Sequence, residues 1–312
     1  MRLIASTQLV VIGSMLDLSD VGKRIAASEQ GVSNHLGSEL RREAWAARIL
    51  DYVLHRQNED GGYAFAQGLE SNAQDTFYGL AILRLLNAGS PRIEHTLRWL
   101  RSLPTRDLYA LYYVSKALWI CGEPNNGGLR DRVLAFRRAD GSFGTTDVDI
   151  EATSELISTF MATELICRLG HSENMEATVN WLRGRQNGDG GFGAGHRSNL
   201  RSTFHALASL NNLGYPVESM RGAVGFIRSC ELPGGGFSVV PGISISYLED
   251  IYYGLSALEM AGERSSYPEN TTALVYSCQN SNGGFRRSPD LGISTFEDTY
   301  FALMILRELG RV

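Results

Sequence analysis

The chain is poor in cysteine and proline, has no surplus of basic residues and contains no long hydrophobic run. Each shortage removes a class of protein. Only four cysteines occur in 312 residues, Cys121, Cys167, Cys230 and Cys278, all more than 40 positions apart. Such spacing offers neither a paired-cysteine zinc knuckle nor a disulfide framework, and it suits a reducing cytoplasm. With 29 Lys and Arg against 34 Asp and Glu the net charge is -5. Nothing in that balance offsets a phosphate backbone, so nucleic acid is not the expected partner. The apolar run Leu9 to Ile12, behind the single early Arg2, is far too short for a secretory signal. No stretch reaches the roughly 20 apolar residues of a membrane span, so a soluble, uncleaved protein is expected.

Glycine, by contrast, is plentiful at 34 residues. Many of these glycines fall in one recurring phrase: RQNEDGGY ending at Tyr63, RRADGSF at Phe143, RQNGDGGF at Phe192, SCELPGGGF at Phe237 and SCQNSNGGF at Phe285. The spacing from Phe143 onward is about 45 to 49 residues, the length of a two-helix repeat, while the first interval is about 80. A degenerate copy between Pro91 and Cys121 fills that gap and brings the count to six.

Each copy reads as an amphipathic helix, a Gly turn, an irregular loop and a second, more apolar helix. Met175 to Arg185 illustrates the first type, with Met175, Val179 and Leu182 on one face. The second helices open near Asp75, Ser158, Ser202, Asp250 and Asp298, residue types that serve as N-caps. Their interiors, such as Tyr78 to Leu83 and Phe301 to Leu306, are apolar nearly all round and therefore buried on most sides. The expected fold is all-α, an inner ring of second helices inside an outer ring of first helices. Residues 38–312 form this single domain and residues 1–37 an N-terminal extension. A closed ring needs no capping repeats, which agrees with an end at Val312 just after the last inner helix.

The Gln, Gly-turn, aromatic phrase with Gln57, Gln186 and Gln279, followed by openings like Glu297-Asp298-Thr299-Tyr300, resembles the prenyltransferase and squalene cyclase repeat. The resemblance spans roughly Arg42 to Gly310. It implies an α/α toroid around an apolar cavity, as in protein prenyltransferase β subunits and class II terpene cyclases. Fold alone does not choose among their activities.

Parallel inner helices gather their N-termini at one mouth, where helix dipoles favour an anion such as a diphosphate. His196, Arg197 and Arg201 lead into one inner helix and Arg286 and Arg287 into another, so these five are the candidate diphosphate ligands. The family's transferases hold their diphosphate with such loop cations. Phe77, Tyr112, Phe204, Tyr252 and Tyr300 are the candidate cavity lining, since ring faces pack against prenyl carbon and attract a cation. For each of these charges and rings the alternative role is a solvated loop residue or ordinary core packing.

The resemblance implies a zinc-bound Asp, Cys and His in a protein prenyltransferase, yet the corresponding positions hold Glu249, Ile251 and Asp298. Thiolate and imidazole are missing, so no zinc site is expected, although magnesium can accompany a diphosphate. Class II cyclases use the middle Asp of DxDD as a proton donor. This chain has Asp147, Asp149 and Glu151 just beyond a Gly turn, a near match in which clustered carboxylates raise one another's pKa. The same residues also serve as loop or N-cap groups. The sequence thus leans toward acid-started cyclisation of a prenyl diphosphate. Prenyl transfer without the usual zinc site, with a helical partner subunit like that of the transferases, and a non-catalytic lipid- or protein-binding toroid remain as alternatives.

Overall fold

A computed structural model describes residues 43–123, 128–144, 155–170 and 173–312. The chain divides into two compact units, Met1–Ala47 and Arg48–Val312. In the first, residues 43–47 are helical and open α1, which spans residues 43–54. The second unit carries the remaining architecture. Its helices are α2 (Ala73–Leu85), α3 (Ile93–Ser102), α4 (Leu108–Ile120), α5 (Leu129–Leu134), α6 (Glu155–Arg168) and α7 (Glu176–Arg183). They are followed by α8 (Leu200–Asn212), α9 (Arg221–Cys230), α10 (Leu248–Met260), α11 (Pro268–Ser277) and α12 (Phe296–Glu308). Among the described residues there is no strand, only isolated bridges such as Gln57 with Tyr63 and Gln279 with Phe285 that close the repeat turns.

The even-numbered helices form a closed inner ring: each packs on the next, and α12 returns to α2. Burial follows this division. In α2 every residue from Thr76 to Leu83 is buried, whereas α3 buries only Thr96, Leu97 and Leu100 and gives its other face to solvent. An inner helix is therefore stabilised from all sides, an outer one along a stripe.

The Gly turns hold the hairpins in register. Gly141 has φ +94°, and a Cβ there would stand 2.5 Å from the carbonyl carbon of Ala177 on the next outer helix. Gly283, at φ +92°, presses in the same way on the backbone of Arg48 in α1, which closes the outer ring. Only glycine combines that backbone conformation with so close an approach. The turn aromatics Tyr63, Phe143, Phe192, Phe237 and Phe285 are all wholly buried beneath these turns. The backbone N–H groups of Tyr63, Phe143, Phe192 and Phe285 donate to the hydroxyls of Thr76, Thr159, Thr203 and Thr299 on the inner helices. In the fifth copy Ile251 stands at the threonine position, and Ser246 accepts from Phe237 instead.

The inner-helix caps lie upstream of the residues expected from sequence. Asn72, Asn199 and Thr295 are extended, and their side chains accept from the N–H groups of Asp75, Ser202 and Asp298. Asp75, Ser202 and Asp298 are therefore third residues of their helices; Asp250 has the same place in α10, and Ser158 lies inside α6. The physical reason is reciprocity: Thr295 Oγ1 also donates to Asp298 Oδ2 (2.7 Å), and Asn72 Nδ2 to Asp75 Oδ2 (2.7 Å), so each pair satisfies both ends.

Replacing Gly283 by Ala should cost about 3 kcal/mol or more in urea unfolding, because strain and backbone overlap add. Gly310→Ala meets open space at φ +69°. It should cost only about 1 kcal/mol. Equal losses at the two sites would show that turn packing does not hold the ring.

Candidate active site

Each inner helix presents its residues to the centre at spacings of three and four, so equivalent residues assemble into tiers. Phe77, Tyr112, Phe160, Phe204, Tyr252 and Tyr300, one from each inner helix, form a closed belt. Successive ring centroids are 6.4 Å (Tyr112 to Phe160), 5.7 Å, 5.9 Å, 6.5 Å and 6.1 Å apart, the last returning from Tyr300 to Phe77. Phe77 closes onto α4 through Tyr113 at 5.8 Å. A second tier, one residue on, holds Tyr78, Tyr113, Met161, His205, Tyr253 and Phe301. All twelve line a cavity of about 500 Å³. The five aromatics singled out in the sequence thus converge on one chamber.

One turn nearer the mouth, Gln74, Tyr109, Arg201, Glu249 and Glu297 form a polar tier. The mouth itself is a cavity of about 590 Å³ that shares Gln74, Arg201, Tyr253, Glu297 and Phe301 with the aromatic chamber. One turn deeper, the Lys116 ammonium pairs with Glu164 at 2.7 Å and lies 4.7 Å from the Phe77 ring centre and 4.6 Å from that of Tyr112. Tyr112 also donates to Glu164. The belt therefore already borders one positive charge.

The two basic clusters meet through one member each. Arg201 Nη2 donates to Glu249 Oε1 at 2.8 Å, while Arg287 grips the same carboxylate with Nε, 2.9 Å from Oε2, and with Nη2. His196 and Arg197 are exposed and Arg286 is half-buried. None of these three lines either cavity. Asp147, Asp149 and Glu151 lie outside the described residues.

The mouth is richer in carboxylates than in cations. Asp75, Glu249, Glu297 and Asp298 line it with Arg201 and Arg287, and the buried Asp250 adjoins Glu249. Side-chain caps already satisfy the N-termini of α2, α8 and α12, so the positive helix ends face protein oxygens. This differs from the anion-seeking mouth expected from helix dipoles alone, because capping residues and first-turn acids take up the field. Burial pushes Asp298 up to about 6, with Glu249 and Glu297 adding to the rise against the Thr295 hydrogen bond. Asp250 is likewise pushed up to about 6, by burial and then by Glu249. Burial also raises Glu297, opposed by the hydrogen bond that Tyr78 donates to Oε1 at 2.9 Å.

Glu297 was quoted in the sequence only as part of a helix opening. Its three- and four-residue spacing to Tyr300 and Phe301 was the signal that it shares their face. Arg201 and Glu249 stand in the same relation to Phe204 and Tyr252. At the positions that the family resemblance assigns to zinc ligands, Ile251 offers no donor atom and Glu249 is engaged by two guanidinium groups. No group of three or more His, Cys, Asp or Glu able to hold a metal occurs among the described residues.

The family model described as the prenyltransferase alpha-alpha toroid domain matches residues 31–106, 101–244 and 244–312. The chain belongs to this family. Among solved structures it is similar to Candida albicans protein geranylgeranyltransferase-I complexed with GGPP, with TM-score 0.70 and 16% identity over 84% of this chain and 90% of that one. It is also similar to a point variant of the type II terpene cyclase MstE from Scytonema in complex with geranylgeranyl dihydroxybenzoate. There the TM-score is 0.58 and the identity 12%, over 86% of this toroid chain and 97% of the other. A protein from Actinoplanes gives 0.54 and 15%, over 86% and 99%. No curated protein matches. Identities this low establish the shared toroid and leave the chemistry to the site.

Between roughly pH 6 and pH 4 the folded toroid holds protons on Asp250 and Asp298 that the unfolded chain releases. Raised carboxyl pKa values therefore destabilise the fold at neutral pH, and the penalty is relieved as pH falls through 6. Asp250→Asn should raise the urea midpoint at pH 7.5 and raise it much less at pH 4.5, where folded Asp250 is already protonated. Equal shifts at both pH values would contradict the assignment.

Proposed function

We propose that this toroid is an isoprenoid-converting enzyme of the acid-started cyclisation type, with Glu297 as proton donor and the aromatic tiers as the wall on which cationic charge develops. The observation that carries this reading is the place of Glu297. Among the described residues it is the one carboxyl that lines both the polar mouth and the aromatic chamber. Its burial favours the protonated form, and Tyr78 occupies Oε1, so the proton on Oε2 is the one available to a substrate.

Transfer of that proton to an alkene carbon forms a C–H bond and leaves a tertiary carbocation. The electron pairs of further alkenes in the chain attack it in turn, and ring closure ends when a neighbouring C–H bond breaks, its electrons forming the last alkene and its proton passing to water, from which Glu297 is reprotonated. The carboxylate left on Glu297 keeps the Tyr78 hydrogen bond and gains from the nearby Arg201 charge. Burial holds the Tyr78 phenol well above its ordinary pKa, so it remains a donor throughout. Ring faces stabilise a passing cation by roughly 0.5 to 2 kcal/mol each.

The substrate class takes support from two structurally similar proteins solved in complex with a geranylgeranyl compound, one with GGPP and one with geranylgeranyl dihydroxybenzoate. Prenyl transfer to a thiol has less support, since Glu249, Ile251 and Asp298 lack the thiolate and imidazole of a usual zinc site. Asp147 and Asp149 compete with Glu297 for the role of acid, and substitution separates them.

Incubation with geranyl, farnesyl and geranylgeranyl diphosphates, followed by mass spectrometry, should yield a cyclised product. Glu297→Gln should lower kcat roughly 100- to 10,000-fold with Tm nearly unchanged. In the unaltered enzyme kcat should be flat at low pH and fall as pH rises through the elevated pKa of Glu297. Tyr78→Phe removes a bond to the carboxylate and should move that fall to higher pH. Full activity in Glu297→Gln with none in Asp149→Asn would transfer the acid role to Asp149. Tight substrate binding without product would make the toroid a carrier.

A further inference from the structure

One turn deeper than the aromatic belt, the inner helices carry at one level Ala81, Lys116, Glu164, Ala208, Ser256 and Met304, each four positions past its belt residue. Lys116, Glu164, Ala208 and Ser256 line the aromatic chamber. Among these six Glu164 is the one carboxyl, and the small Ala208 and Ser256 leave the chamber open at its level. Its oxygens are held from α4: Lys116 Nζ donates to Oε1 at 2.7 Å, and Tyr112 donates to Oε2. Lys116 Nζ also donates to the Tyr112 hydroxyl at 2.8 Å, which closes a triangle of three side chains. A carboxylate has about four lone-pair sites, so these two bonds leave it able to accept more.

Glu297 and Glu164 line the same chamber in opposite settings. Glu297 is desolvated and touched by a phenol, whereas Glu164 is paired with an ammonium and is a carboxylate. Carboxyls whose surroundings drive them apart in this way divide acid and base roles between them. The belt lies between the two, with Glu297 one turn toward the mouth and Glu164 one turn deeper, roughly 10 Å apart along the helix direction. Each alkene attack in a started cyclisation moves the cationic centre along the chain, away from the proton donor. A C–H bond beside a carbocation is acidic enough for any carboxylate, so position decides which group takes the proton. Glu259 also lines the chamber, but it lies a further turn from the belt. The Lys116–Glu164 pair is neutral overall, so it sets a carboxylate at the aromatic wall without adding net charge.

We propose that Glu164 is the base that ends the cyclisation, with Lys116 and Tyr112 as the residues that position it. This rests on the acid-started reading and adds to it the group through which the last proton reaches water. A C–H bond next to the final cationic carbon breaks, its electron pair becomes the second bond of an alkene, and the proton forms an O–H bond on Glu164. The acid so formed passes its proton to water, which reaches this side chain because it is 31% exposed. Acid and base thus stand on opposite sides of the belt, and the product is an alkene rather than an alcohol.

The product spectrum from geranylgeranyl diphosphate, read by mass spectrometry, tests it. The unaltered chain should give one main alkene. In Glu164→Gln the share of that alkene should fall roughly tenfold or more, replaced by alkene isomers and by products heavier by one water. The double substitution Lys116→Met with Glu164→Gln leaves no unpaired charge and should give the same altered spectrum. Glu164→Asp keeps the charge and the fold while drawing the carboxylate back by one methylene. It should still yield alkenes without added water, with the double bond moved. The same main alkene in the same share from all three variants would overturn the proposal. So would slower turnover with an unchanged spectrum, the mark of a purely structural role. Cyclised product from the unaltered chain with indifferent variants removes this inference alone, whereas no cyclised product from the unaltered chain removes the acid-started reading with it.

Discussion

Close contact between each Gly turn and the backbone of the next outer helix is the constraint on which the toroid depends. One turn binds three helices at once. Its glycine touches the following outer helix, its aromatic fills the space beneath, and its N–H is held by the inner helix of the same hairpin. The Gln of the phrase closes the loop from within: Gln57, Gln186 and Gln279 each donate to the carbonyl of the critical glycine. Hairpins are thereby fixed in height as well as in angle. The degenerate second copy lacks the glycine and uses a side chain instead, with Arg132 of α5 reaching the Thr105 carbonyl at 2.8 Å.

Equal height is what turns six separate helices into a site. Residues at the same place in each copy meet at the same level of the lumen, so one aromatic per helix yields a closed belt and the position one turn nearer the mouth yields a polar tier from five of the six helices. A slip of one residue in any hairpin would rotate that helix by about 100 degrees and point its aromatic into the protein. The tiers thus follow from the turns, and the chemistry available at the centre follows from the tiers.

The turn phrase, the inner and outer division and the aromatic lining were legible because each rests on local repetition. Other features depend on which atom meets which. Asp75 and Asp298 are the right residue type for a cap, yet Asn72 and Thr295 hold the extended backbone that a cap requires. The sign of the mouth was hidden for a different reason. Arg201, Glu249 and Arg287 come from three loops and helices spaced 38 and 48 residues apart, and only folding shows that one carboxylate takes both guanidinium groups. Glu297 lay between these cases. Its spacing from Tyr300 was visible, but spacing says nothing about desolvation, which is what gives the carboxyl its character.

The Lys116 ammonium tests what the centre of the ring tolerates. It borders two faces of the aromatic belt and is held by Glu164, which is itself hydrogen-bonded by Tyr112. A partly buried charge is costly unless much of its field is met, and here the carboxylate and the rings both meet it. The carboxylate compensates a fixed charge at one point, whereas the rings continue around the lumen without carrying charge of their own. A cation formed elsewhere on the belt would meet the same ring faces, away from the Lys116–Glu164 pair. Such a lining favours charge that is spread and brief over charge that is localised and lasting, which is the electrostatic difference between a carbocation in passage and an ammonium at rest.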